Sequence, residues 1–183
     1  LQHADLSGAN LARSNLNLID AKWAVFIKAD LTDALLYEAD LSGADFSEAN
    51  LTGARLGRAH LNRANLQNAK LTGADLRKTR LADATLKGAD MRGVTLDGQN
   101  MREMDLRGID FTLADFVNAD LTGADLRGAN FAGANLYGAN LHSADLRQAN
   151  LEGANLDEAI MSDVQNEGVK FGAAIIPDGR RAK

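Results

Sequence analysis

Every fifth residue from Leu1 to Ile176, with two exceptions, Ala21 and Asn166, is large and apolar, and no insertion or deletion breaks the register. Of these 36 central positions 24 are Leu, six Phe and three Met, with Ala21, Asn166 and Ile176 as the exceptions. Ala stands two residues before the centre in 26 of 35 cases, Asp or Asn immediately before it in 23 of 35, and 14 of the 17 glycines fall two residues after it. The unit is A-(D/N)-L-x-(G/x), as in ADLSG at 39–43, ADLTG at 119–123 and ANLEG at 149–153. A straight helix smears such a pattern around its cylinder, because five residues advance the apolar position by about 140°. In a straight strand, centres five apart point to opposite faces. All centres face one core only if the backbone bends once per repeat in the same sense, which winds the chain into a solenoid of short strands and corners.

The other positions then have physical reasons. Ala points inward beside the Leu, where a larger side chain crowds a narrow interior. Asp or Asn bonds nearby backbone groups and holds the corner, and Gly tolerates positive φ there. Proline is excluded where neighbouring coils need each other's N–H groups; the single Pro177 stands where the pattern ends. Without cysteine there is no disulfide, thiol nucleophile or Cys-based metal site. No apolar run approaches the ~18 residues of a spanning helix. The opening LQHADLSGAN has neither a basic start nor an apolar stretch, so no signal peptide is expected there and a cytoplasmic location is favoured.

These units resemble those of the pentapeptide-repeat proteins, over about residues 1–176. The resemblance implies an all-β fold, a right-handed quadrilateral β-helix (solenoid) with four pentapeptide repeats, hence 20 residues, per coil. The period of five does not by itself choose four sides over three. On that geometry 183 residues give about nine coils stacked at about 4.8 Å. Residues 1–176 form the repeat domain, and 160–183 carry the decaying repeat, a C-terminal cap and the basic tail Arg180, Arg181 and Lys183, expected to be disordered.

With residues 20 apart stacked, the outward positions become columns. Asp105, Asp125 and Asp145 run beside Lys87, Arg107, Arg127 and Arg147, a salt-bridged solvated face. Thr32, Thr52 and Thr72 form a short ladder that Arg92 interrupts, too few for ice binding. Arg58, His60, Arg77, Lys78 and Arg80 gather into a candidate basic patch. Residues 1–92 hold 12 basic and 11 acidic residues, net +1, while residues 93–183 hold 8 and 14, net −6, which together give the chain's −5. The acidic half supplies a candidate surface of Asp97, Asp110, Asp115, Asp120, Asp157 and Glu158, none flanked by its own Arg in the sequence.

The pattern breaks most sharply at 17–37, where the centre at 21 shrinks to Ala and Leu18, Trp23, Val25, Ile27, Leu35 and Tyr37 occupy outward positions. Three readings are open: a contiguous protein-contact surface, a patch covered by sequence preceding residue 1, or local repacking with Trp23 folded inward over Ala21. A second break replaces the inward Ala of one coil by Val94, Gln99, Met104 and Ile109, with adaptable Met91 and Met101 at two centres, and suggests a junction between two halves. Beyond residue 156 the repeat decays, leaving Phe171, Ile175 and Ile176 as a candidate cap or dimer end.

Catalysis needs titratable groups converging in a concave site, which a convex rod filled by its own leucines does not offer. His3, His60 and His142 are scattered, with no metal-ligand spacing and no phosphate-binding loop, so no cofactor is expected. Two function classes follow. One is a non-enzymatic scaffold that binds a protein partner or itself, including a homodimer through a solenoid end, with no direct nucleic-acid or membrane contact. The other is implied by the resemblance: some pentapeptide-repeat proteins mimic duplex DNA and bind DNA gyrase, modulating it or conferring resistance to its inhibitors. The Arg and Lys columns and the Leu-dominated core run against that second class.

Overall fold

A computed structural model describes residues 1–179, and the chain falls into two compact units, Leu1–Met91 and Arg92–Lys183. In both, the same five-residue conformation repeats without a helix among the described residues. Within each unit, parallel rungs join residues that precede a centre to those 20 positions on, as in Asp5–Val25–Asp45–Asn65 of the first unit and Thr95–Asp115–Asn135–Asn155 of the second. Each coil of either unit therefore has four sides. They are called here by their first rung: Asp5, Asn10, Asn15 and Asp20 in the first unit, and Thr95, Asn100, Asp105 and Asp110 in the second.

The pentad 46–50 shows why five residues close a side. Phe46 N–H donates to Asn65 O of the next coil (2.7 Å), Glu48 N–H to Gln67 O (3.0 Å), and Asn50 N–H to Ala29 O of the preceding coil (2.9 Å). Ala49 N–H closes the turn on Phe46 O at 3.0 Å. That leaves the Ser47 N–H, which donates to the Asp45 carboxylate at 2.9 Å. All five donors are thus satisfied, as buried or half-buried backbone requires, and the fifth bond needs a short side-chain acceptor before the centre. The same Asx bond recurs at Asp30, Asp110, Asn130 and Asn140. Where Leu35 cannot supply it, Asn17 of the preceding coil accepts from Tyr37 N–H instead, at 2.8 Å.

The inward Ala and Leu are buried from the second coil onward, except Ala84, which is half-buried. Phe26 and Phe46, one coil apart, stack with centroids 4.7 Å apart, and Phe111, Phe116 and Phe131 form a ring cluster in the second unit. Val94, Gln99 and Ile109 are buried in the coil that begins where the two units divide. The sequence ties corners to glycine, but the structure places a positive φ at every corner from His3 to Asp178, in 22 residues that are not Gly. The turn geometry demands that conformation, and Gly is only its least strained occupant.

Leu18 meets that demand at φ 58 with a side chain 71% exposed. Leu18→Gly is expected to raise stability by about 0.5–1 kcal/mol, because relief of the left-handed strain exceeds the added chain entropy. A lowered urea midpoint would show that the leucine contributes contacts that offset its strain.

Candidate interaction surfaces

Residues 17–37 traverse a full coil, so its apolar side chains do not form one patch. Val25 lies on the Asp5 side with Ile27 and follows Trp23 at the corner; Leu35 and Tyr37 lie on the Asn15 side, half a coil away, with Leu18 at that side's corner. The contiguous six-residue surface read from the sequence is therefore two groups facing different ways. Trp23 does not fold over Ala21: its indole stays 49% exposed and lies along the surface where a Cβ on Gly43 would strike it. Tyr37, 42% exposed, lies against Gly57 in the same manner, with the Arg58 guanidinium 5.8 Å from its ring centroid. The sequence carried a signal for this packing, a glycine 20 residues after each aromatic. The same spacing finds Leu113 against Gly133, an exposed corner leucine that pattern reading missed.

The basic patch is divided as well. Arg58 pairs with Glu38 (3.2 Å), His60 approaches Asp40 (3.8 Å), and Arg77 forks onto Asp75 (2.9 and 2.7 Å). Among the described residues no carboxylate comes within 4.0 Å of Lys78 or Arg80, and none within that distance of nearby Arg55. The threonine ladder is committed internally: Thr32 donates to Asp30 (2.6 Å) and accepts from Asn50 (2.9 Å), and Thr52 donates to Asn50 (2.7 Å).

On the Asp105 side of the second unit the charges interlock. Arg107 forks onto Asp105 (2.7 and 2.6 Å) and reaches Asp125 (3.6 Å); Arg127 forks onto Asp125 (2.8 and 2.6 Å) and reaches Asp145 (3.6 Å); Arg147 closes the ladder on Asp145. Hydrogen bonds from these arginines, added to the backbone Asx bond, hold the three carboxyls below their ordinary value. A depressed folded pKa gives stability that is present above the unfolded carboxylate value of about 4 and is lost as pH falls through the folded one. Replacing Asp105, Asp125 and Asp145 by Asn keeps the backbone acceptor but removes the titration. The urea midpoint of that variant is expected to fall less than wild type between about pH 4 and pH 2; equal slopes would show that the ladder carries no linkage.

The candidate acidic residues spread over three sides. Asp110 accepts from Thr112 and Asn130, and Asp120 pairs with Arg102 at 3.2 Å, so an arginine two residues short of a full coil supplies the partner that sequence neighbours lack. Asp97, Asp115, Asp157 and Glu158 share the Thr95 side with Val117 and Tyr137, and none of that side's outward residues from 95 to 158 is Lys, Arg or His. Asn155 donates to Asn135 (3.2 Å) and Asn135 to Asp115 (3.5 Å), an amide ladder that ends on a carboxylate. The Glu158 carboxylate beside the Tyr137 hydroxyl pushes the phenol's pKa up. At the far end Phe171, Ile175 and Ile176 are half-buried, and Ile175 still forms a rung with Asn155 although Asn166 has replaced an apolar centre. The basic tail Arg180, Arg181 and Lys183 lies outside the described residues.

A family profile described as pentapeptide repeats, in eight copies, matches residues 4–43, 24–63, 59–98, 89–131 and 124–163. Among solved structures, HetL of the cyanobacterium Nostoc sp. strain PCC 7120, a pentapeptide repeat protein involved in heterocyst differentiation regulation, is 34% identical. Their similarity covers 100% of this chain and 80% of HetL, at a TM-score of 0.70. An Arabidopsis thaliana thylakoid-lumen pentapeptide repeat protein is also 34% identical, over 54% of this chain and 66% of its own, with a TM-score of 0.41. The plasmid-mediated fluoroquinolone resistance protein QnrB1 is 23% identical over 92% of this chain and 77% of its own, with a TM-score of 0.45. No curated protein sequence matches the chain.

Proposed function

The chain belongs to the pentapeptide-repeat family, and from that premise we propose that it is a non-enzymatic scaffold whose outward columns bind protein. The coils are read as right-handed and quadrilateral, about nine in all at 20 residues each, with residues 1–176 as the repeat body and 160–183 as its cap and tail. The observation that carries the reading is the state of Leu18 and Trp23. Both hold left-handed corners at φ 58 with large apolar side chains exposed, where Gly is less strained and a polar residue better solvated. A partner that covers them gives such residues a use. The part that HetL takes in regulation fits a protein that acts by contact.

The test is a protein captured by wild type and lost with Trp23→Ser, Ile27→Ser, while the unfolding free energy from urea titration stays within about 1 kcal/mol of wild type. An unchanged capture profile removes the Trp23 corner from the account. A second reading, an acidic decoy for the DNA-binding groove of gyrase, is favoured by the base-free Thr95 side and opposed by the arginines of the Asp105 side. Unchanged gyrase supercoiling at micromolar protein and ionic strength near about 0.1 M ends that reading.

A further inference from the structure

We propose that the acidic Thr95 side of one copy docks on the basic corner of the Leu1–Met91 unit of a second copy. This rests on reading the molecule as an interaction scaffold and names its partner. The corner presents Arg55, Lys78 and Arg80, with Arg58 beside them over Tyr37. Among the described residues, Arg55, Lys78 and Arg80 have no carboxylate within 4.0 Å, and Asp97, Asp115, Asp157 and Glu158 have no cation within it. The fold does neutralise its charges where it builds a solvated face, as the alternating Asp105 side shows. Leaving one side base-free and, at one corner, Lys78 and Arg80 outside any ion pair, with Arg55 only in the longer-range field of Asp75, separates charges that the same chain could have interleaved. Both surfaces share the rung spacing of about 4.8 Å, and the carboxylates stand on three coils of the Thr95 side, Asp97, Asp115 and the Asp157–Glu158 pair, with Asn135 and Tyr137 on the coil between Asp115 and Asp157, so cations of one copy can meet carboxylates of the other at matching heights. Exposed Tyr37 and half-buried Val117 and Tyr137 supply apolar area between the charges. Any acidic protein fits the corner by charge; the second copy is singled out because the chain itself carries the complement.

The test is the light-scattering mass of the full chain at about 100 µM, in about 50 mM and about 500 mM salt. A dimer or larger species in low salt that becomes monomeric in high salt is expected. Lys78→Glu, Arg80→Glu and, separately, Asp157→Lys, Glu158→Lys should each weaken self-association at least tenfold, and mixing the two variants should restore a complex, since each retains the surface the other has lost. Urea midpoints show that the variants fold. Monomeric wild type at both salt concentrations overturns the proposal. In that case octalysine serves as a second probe. If it binds wild type and fails to bind Asp157→Lys, Glu158→Lys, the scaffold reading survives and the second copy is wrong; if it does not bind at all, the acidic side is no docking surface and both fail there.

Discussion

Phe131→Ala is expected to destabilise the Arg92–Lys183 unit by about 3–5 kcal/mol. Phe131 is fully buried, with its ring 5.0 Å from Phe111 and 5.4 Å from Phe116. Truncation removes a large apolar area and leaves a void, and the surrounding coils are fixed by rung hydrogen bonds such as Phe131 N–H to Asn150 O at 2.7 Å. A core whose walls are held by main-chain bonds in every direction relaxes little into a cavity, which places the cost at the upper end of the usual range. Urea unfolding followed by circular dichroism reads the difference. A loss under about 1 kcal/mol would mean that the coil interior collapses around the missing ring.

Gly43→Val carries the second large effect, expected at about 2–3 kcal/mol. Gly43 holds φ +69, a conformation especially unfavourable for a β-branched residue, and its new Cβ would run into the Trp23 indole. Gly73→Val is the control: φ is +66, but nothing lies within 4 Å of the added Cβ, so that variant carries the backbone strain alone. The difference between the two isolates the aromatic seat. Since Trp23 is the chain's one tryptophan, its emission should shift in Gly43→Val and stay unchanged in Gly73→Val. The same shift in both would show that the indole does not rest on Gly43.

Both predictions depend on what the sequence makes legible and what it does not. The five-residue period excludes helix and flat strand by geometry alone, and it marks the buried residues almost one by one, because each coil repeats the same inward pair. The role of Asp45 and its equivalents was legible too, since a turn with one N–H left over calls for a short side-chain acceptor. Contiguity was harder to read. Trp23 and Tyr37 look adjacent along the chain, yet the coil turns through two sides between Val25 and Leu35, and neighbours on the surface are residues 20 apart. Asp120 looked unpaired for the same reason: Arg102, its partner, lies 18 positions back. Glycine marks only some of the corners. Lys78, Leu113 and Glu158 adopt the same left-handed turn, because closing a side in five residues imposes it whatever side chain is present.

The spacing of 20 underlies every surface described, and the cysteine-free chain allows it to be tested directly. In Thr52→Cys, Thr72→Cys the two thiols stand on adjacent coils of one column, with strands about 4.8 Å apart, within the usual 4.4–6.8 Å Cα separation of a disulfide. In Thr52→Cys, Gln67→Cys they are 15 residues apart, the spacing that a three-sided coil would stack. Mild oxidation, read by mass after unfolding, should close an intramolecular disulfide in the first pair and leave the second reduced. Closure of the second pair without the first would contradict the four-sided coil and every column built on it.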